Sequence, residues 1–137
     1  MSQISKLKLN KKVQEDILKN LFISISKINK DELSKVFLED LLTRTEKIVL
    51  AKRLAIALLL ESGRSYSEIK DIVKVSASTI STVNNSLNNG KGYREIIKKL
   101  HSLESKQENS WLFDLFNSKA SISSRRRLLG HSNQSNH

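Results

Sequence analysis

SYSEIKDIVKVSASTISTVNNSL, residues 65–87, is the stretch that decides the fold. Apolar residues recur in it at helical spacing: Ile69, Ile72 and Val73 form one stripe, and Ile80, Val83 and Leu87 form another, with Val75 in the link. Ser65 followed three residues later by Glu68 is a capping-box pattern, which places the first helix start near Tyr66. Lys74-Val75-Ser76 leaves room only for a sharp turn. Ser76 or Ser78 can cap the second helix, and Asn89-Gly90 is a stop signal that ends it near Asn88. The two stripes can then meet over one core, as in a helix-turn-helix unit.

Removing the apolar stripe leaves Ala77, Ser78, Ser81, Thr82 and Asn85 on the outer side of the second helix. These residue types suit base edges: hydroxyls donate or accept, Asn pairs in a bidentate way with adenine, and an Ala methyl meets a thymine methyl. No Lys or Arg lies between Val75 and Gly90, so attraction for phosphate falls to Arg64, Lys70, Lys74, Lys91 and Arg94. An ordinary helical hairpin with a solvated Ser/Thr face carries the same pattern. Charge favours the nucleic-acid alternative.

The 137 residues carry 24 Lys+Arg against 14 Asp+Glu, a formal net charge of +10. The excess sits in residues 1–30, with seven basic and two acidic, and in 64–100, with seven and three; residues 31–63 balance at five against six. Such a balance points to nucleic acid or another anionic surface. Cysteine is absent, which excludes disulfides, thiolate metal sites and cysteine nucleophiles. His101, His131 and His137 are scattered, so neither a metal nor a catalytic cluster is expected. Proline is also absent and there are only four Gly, as suits an all-α chain with short links.

Outward from the central unit, Val13, Ile17, Leu21, Phe22, Ile25 and Ile28 predict a helix of about five turns over residues 10–29. Its long apolar stripe needs a partner. Asn29-Lys30-Asp31 breaks the pattern, and Asp31 is expected to cap a short helix bearing Leu33, Val36, Phe37, Asp40 and Leu41. Thr43-Arg44-Thr45-Glu46 is a second capping box, opening a helix to about Glu61 that stops at Ser62-Gly63. Apolar nearly all round from Ile48 to Leu60, it is expected to be buried on several sides or to form part of a dimer seam, with Lys52 and Arg53 as exceptions. Arg53 suits either a snorkelling side chain or a functional one.

Asn88-Asn89-Gly90-Lys91-Gly92 is expected to be a flexible link, and Tyr93, Ile96, Ile97, Leu100 and Leu103 predict a last helix. Residues 106–116 include a short amphipathic piece, Trp111 to Phe116, that suits a packing flap or dimer contact better than a membrane anchor. Residues 117–137, Ser-rich with Arg125, Arg126 and Arg127 in a row, are expected to be disordered. The longest apolar run, Leu54 to Leu60, falls far short of the ~20 residues of a membrane span. The basic N-terminus lacks the apolar stretch of a secretory signal, so a cytoplasmic, nucleoid-associated location and no membrane partner are expected.

Residues 40–97 resemble the Trp repressor superfamily, most closely its YerC/YecD-type branch. The most specific parts are L-T-x-x-E at Leu42 to Glu46, A-K-R-L-A at Ala51 to Ala55, A-S-T-I-S-x-V-N-x-S-L from Ala77 to Leu87, and G-x-G-Y from Gly90 to Tyr93. The resemblance implies an intertwined homodimer whose two helix-turn-helix heads, residues 65–88 of a domain spanning 1–105, enter successive major grooves of double-stranded DNA about one helical turn apart. Positions matching the family's DNA-contacting residues are Ser67, Lys70, Ser76, Ala77, Ser78, Thr79 and Ser81, to which the outward face adds Thr82 and Asn85.

In tryptophan-responsive members the indole lies between two arginines. Arg53 matches the first, but the second position falls on Thr82, which neither neutralises a carboxylate nor stacks on an indole. No tight tryptophan response is therefore expected, although Thr43, Arg53, Thr82 and Ser86 could line a pocket for another small effector. No cofactor is expected. The leading function is a sequence-specific, repressor-like regulator of transcription, and the alternative is a helical protein- or RNA-interaction adaptor. No spacing of Ser/His/Asp, paired carboxylates or phosphate loop supports an enzyme.

Overall fold

The structure, a computed structural model, describes residues 7–104. Among them are six α-helices and no strand: α1 (Lys11–Ser26), α2 (Asp31–Leu41), α3 (Arg44–Glu61), α4 (Tyr66–Val73), α5 (Ala77–Asn89) and α6 (Gly92–Glu104). The all-α expectation holds. The amphipathic piece of residues 106–116 and the tail of 117–137 lie outside the described residues.

Two compact units divide within α3, after Ala51. In the second, the C-terminal half of α3 supplies Ile56, Ala57, Leu58 and Leu59, which are buried together with Ile69 and Val73 of α4, Ile80, Val83 and Leu87 of α5, and Ile97 of α6. Four consecutive buried residues sweep about 300° around a helix of 3.6 residues per turn, so this half of α3 is covered on nearly every side. It is the central post of the unit. Leu54, Leu60, Ile72, Val75, Tyr93 and Leu100 pack half-buried around that core.

In the first unit, none of the described residues is buried. Leu21, Ile28, Phe37, Leu42 and Val49 are half-buried, while Val13, Ile17, Ile25, Leu33, Val36 and Leu41 are exposed, and Phe22 reaches 63% exposure. Exposure continues into the start of α3 at Ile48 and Leu50. Of the run from Ile48 to Leu60, expected to be buried on several sides or to form part of a dimer seam, the single chain buries 56–59 and half-buries Val49, Lys52, Leu54, Ala55 and Leu60.

Local chemistry explains most element ends. The Asn10 side chain accepts from Lys12 N at 2.9 Å to start α1. At Thr43 the capping box closes both ways, with Thr43 N donating to Glu46 Oε1 at 2.9 Å and Glu46 N donating to Thr43 Oγ1 at 3.2 Å. The end of α3 is a Schellman turn: Arg64 N donates to Leu59 O and Gly63 N to Leu60 O, each at 3.0 Å, with Gly63 at φ +84°. A side chain at Gly63 would be strained in that left-handed conformation.

Four local expectations are corrected. α1 ends at Ser26, about half a turn short of five turns, and Ile28 lies beyond it. Asp31 is the first helical residue of α2 rather than its cap; Lys30 occupies the cap position without a side-chain bond, and Asp31 with Glu32 instead places negative charge at the helix's positive end. The expected link at 88–92 shrinks to Gly90 and Lys91, because α5 runs through Asn89 and Gly90 takes an ordinary φ of −98°. Ile96, assigned to the apolar stripe of the last helix, is 48% exposed, whereas Ile97 is buried.

Candidate nucleic-acid interface

α4 and α5 form the expected helix-turn-helix, with Lys74, Val75 and Ser76 between them. Ser65 caps α4 by accepting from Glu68 N at 3.2 Å, and the Glu68 carboxylate lies 3.8 Å from Arg64 Nη1. α4 ends at Lys74, whose backbone is left-handed at φ 59° and ψ 60° and whose N–H returns to Lys70 O. Among the described residues it is the one non-glycine at positive φ. Ser76 then caps α5, its Oγ accepting from Thr79 N at 3.3 Å. Ser78, the other candidate cap, instead lies 3.0 Å from Ser76 Oγ through its own hydroxyl.

Two contacts that join residues distant in sequence hold this unit. Lys52 Nζ donates to Lys74 O at 3.3 Å, tying α3 to the turn across 22 residues. Arg94 Nε donates to Leu87 O at 3.3 Å, tying α6 to the end of α5. Neither is visible in periodicity, since each joins a side chain to a backbone carbonyl brought near only by packing. The signal for Lys52 was its charge, shared with Arg53, in the otherwise apolar run from Ile48 to Leu60.

Burial sorts the expected site residues. Ile80, Val83 and Leu87 face the core, and the stripe opposite is Ser78, Ser81, Thr82 and Asn85, at spacings i, i+3, i+4 and i+7. All four are exposed, as are Ala77 and Ser76 at the start of α5 and Ser67 and Lys70 on α4. Thr79 differs: it is half-buried, with its Oγ1 3.0 Å from Ser76 Oγ, so it supports the cap more than it offers a free group.

α5 carries no charged side chain along its whole length. The exposed cations Lys70 and Lys74 precede it and Lys91 and Arg94 follow it, while Arg64 is half-buried beside Glu68. A neutral hydrogen-bonding ridge flanked by cations can place a helix against base edges while its flanks hold phosphates.

The expected effector residues are divided between the two units. Thr43 serves the cap of α3 in the first unit, whereas Arg53, Thr82 and Ser86 belong to the second. Arg53 is exposed, and Thr82 Oγ1 and Ser86 Oγ donate to their own helix, to Ser78 O at 3.0 Å and Thr82 O at 3.3 Å. Among the described residues no cluster of His, Cys, Asp and Glu could hold a metal ion, and no helix is long and apolar enough to cross a membrane.

A family model described as Trp repressor protein matches residues 16–101, which include all the helix-turn-helix and most of the remaining helices. No curated protein and no solved structure matches the chain.

Proposed function

We propose, from the premise that this chain belongs to the Trp repressor protein family, that it is a sequence-specific transcriptional regulator that represses by occupying DNA as a homodimer. The family consists of helical DNA-binding regulators rather than enzymes. What carries the proposal is the uncharged, exposed stripe Ser78, Ser81, Thr82 and Asn85 backed by the buried stripe Ile80, Val83 and Leu87. A helix so divided presents one face to a groove while the other fixes its angle to the protein.

Homodimerisation is supported by the exposed apolar side chains of α1, α2 and the first turns of α3. A second copy of the chain is their proposed cover, and residues 1–105 are read as the dimerising, DNA-binding domain. Tryptophan is not its proposed effector: Thr82 carries neither the charge nor the planar group that a clamp on an indole and a carboxylate needs, and its hydroxyl donates to Ser78 O.

Selection of duplexes from random DNA, followed by titration at rising salt, tests the function. The expected result is one preferred sequence over competitor DNA, with affinity falling steeply as salt rises. A Ser78→Glu/Ser81→Glu double variant is expected to lose this binding with its helical content and association state unchanged. Weak, sequence-blind attraction that disappears with salt would instead support the adaptor alternative.

A further inference from the structure

We infer that the recognition helix reads A·T pairs, through adenine N6/N7 at Asn85 and thymine methyl groups at Ala77 and Thr82, and makes no bidentate guanine contact. The inference rests on the DNA-reading function proposed above and assigns its specificity. Guanine presents two acceptors, O6 and N7, in the major groove, and the side chains that most often satisfy both are Arg and Lys. α5 has neither. Its cations stand beyond both ends, at Lys70, Lys74, Lys91 and Arg94, where the backbone of a duplex is the natural partner.

The structure narrows the donors further. Thr82 Oγ1 gives its hydrogen to Ser78 O, and Ser86 Oγ gives its own to Thr82 O. The hydroxyls of Ser78 and Thr79 each lie 3.0 Å from Ser76 Oγ at the cap. Of the exposed polar stripe, Ser81 and Asn85 have side chains without a hydrogen-bond partner among the described residues. An Asn amide offers one oxygen and one NH₂, the complement of an adenine edge, which accepts at N7 and donates at N6. With its hydroxyl turned to the helix, Thr82 keeps a methyl group, and Ala77 presents another at the start of the helix. Both suit the C5-methyl of thymine.

The test uses the full chain and the duplex it selects from random DNA, with single-atom base analogues placed across each half-site. Replacing adenine by 7-deazaadenine at the Asn85 position is expected to weaken binding about tenfold, and Asn85→Ala is expected to bind the natural and deaza duplexes equally. Replacing thymine by uracil, which removes only the methyl, is expected to cost several-fold at one or two positions; 7-deazaguanine is expected to cost less than 7-deazaadenine at every position. A selected site with a required guanine, weakened on removal of its N7 as much as by 7-deazaadenine, overturns this assignment and leaves the DNA-reading function standing. Failure to select any sequence overturns both.

Discussion

Lys52 Nζ donates a hydrogen bond of 3.3 Å to the carbonyl oxygen of Lys74, the left-handed residue on which the chain turns from α4 into α5. The bond connects the central post of the core to the turn that aims the recognition helix. Lys52→Met keeps the aliphatic stem and removes the donor. It is expected to cost about 1 kcal/mol of stability, the net value of one exposed hydrogen bond, and to weaken specific DNA binding through a looser turn. Urea unfolding and duplex titration of the same variant check the two effects.

Lys74→Gly is expected to move stability and affinity in opposite directions. At φ 59° and ψ 60° a side chain crowds its own backbone, so glycine should raise stability by roughly 0.5–1 kcal/mol even after its greater unfolded-state entropy. The Lys52 bond survives because its acceptor is backbone. Loss of one phosphate-directed cation should lower DNA affinity and reduce the salt slope by about one. Unchanged affinity would show that Lys74 serves the turn alone.

Gly90 and Gly92 make a controlled pair. A Cβ added at Gly90 would lie 2.8 Å from the backbone oxygen of Ser86, which already accepts from Gly90 N, whereas a Cβ at Gly92 meets nothing within 4 Å. Gly90→Ala is expected to cost about 1–3 kcal/mol by forcing the end of α5 to shift. Gly92→Ala, at the first residue of α6, should be neutral or mildly stabilising. Thermal unfolding followed by circular dichroism separates them.

Introducing charge on α1 probes the proposed dimer. Ile17 is 50% and Phe22 is 63% exposed, so neither Ile17→Glu nor Phe22→Glu removes a buried side chain of the single chain. If a second copy covers these residues, the double variant should sediment as a monomer and lose cooperative binding to a two-half-site duplex. A wild-type chain that sediments as a monomer at micromolar concentration would remove the dimer from the proposal.

Calorimetric titration with L-tryptophan is expected to show no low-micromolar binding by the wild-type protein. Thr82→Arg restores a cation and a planar group at that position, and a gain of tryptophan binding in this variant would show that the rest of a pocket is present.

Much of this architecture was already legible in residue order, for a local physical reason. The capping pairs Ser65 with Glu68 and Thr43 with Glu46, the glycine at 63 and the stripes Ile69/Val73 and Ile80/Val83/Leu87 act within a turn or two of helix, so spacing alone places them. Spacing also placed Ser78, Ser81, Thr82 and Asn85 on one outward face. Tertiary packing decided what spacing could not: that α3 is enclosed only from Ile56 to Leu59, that Ile96 lies outside while Ile97 lies inside, and that Lys52 and Arg94 spend their N–H groups on carbonyls 22 and 7 residues away. Apolar character states that a side chain gains by leaving water, but not which neighbour excludes the water, and a hydrogen bond to a backbone carbonyl leaves no trace in the identity of the acceptor residue.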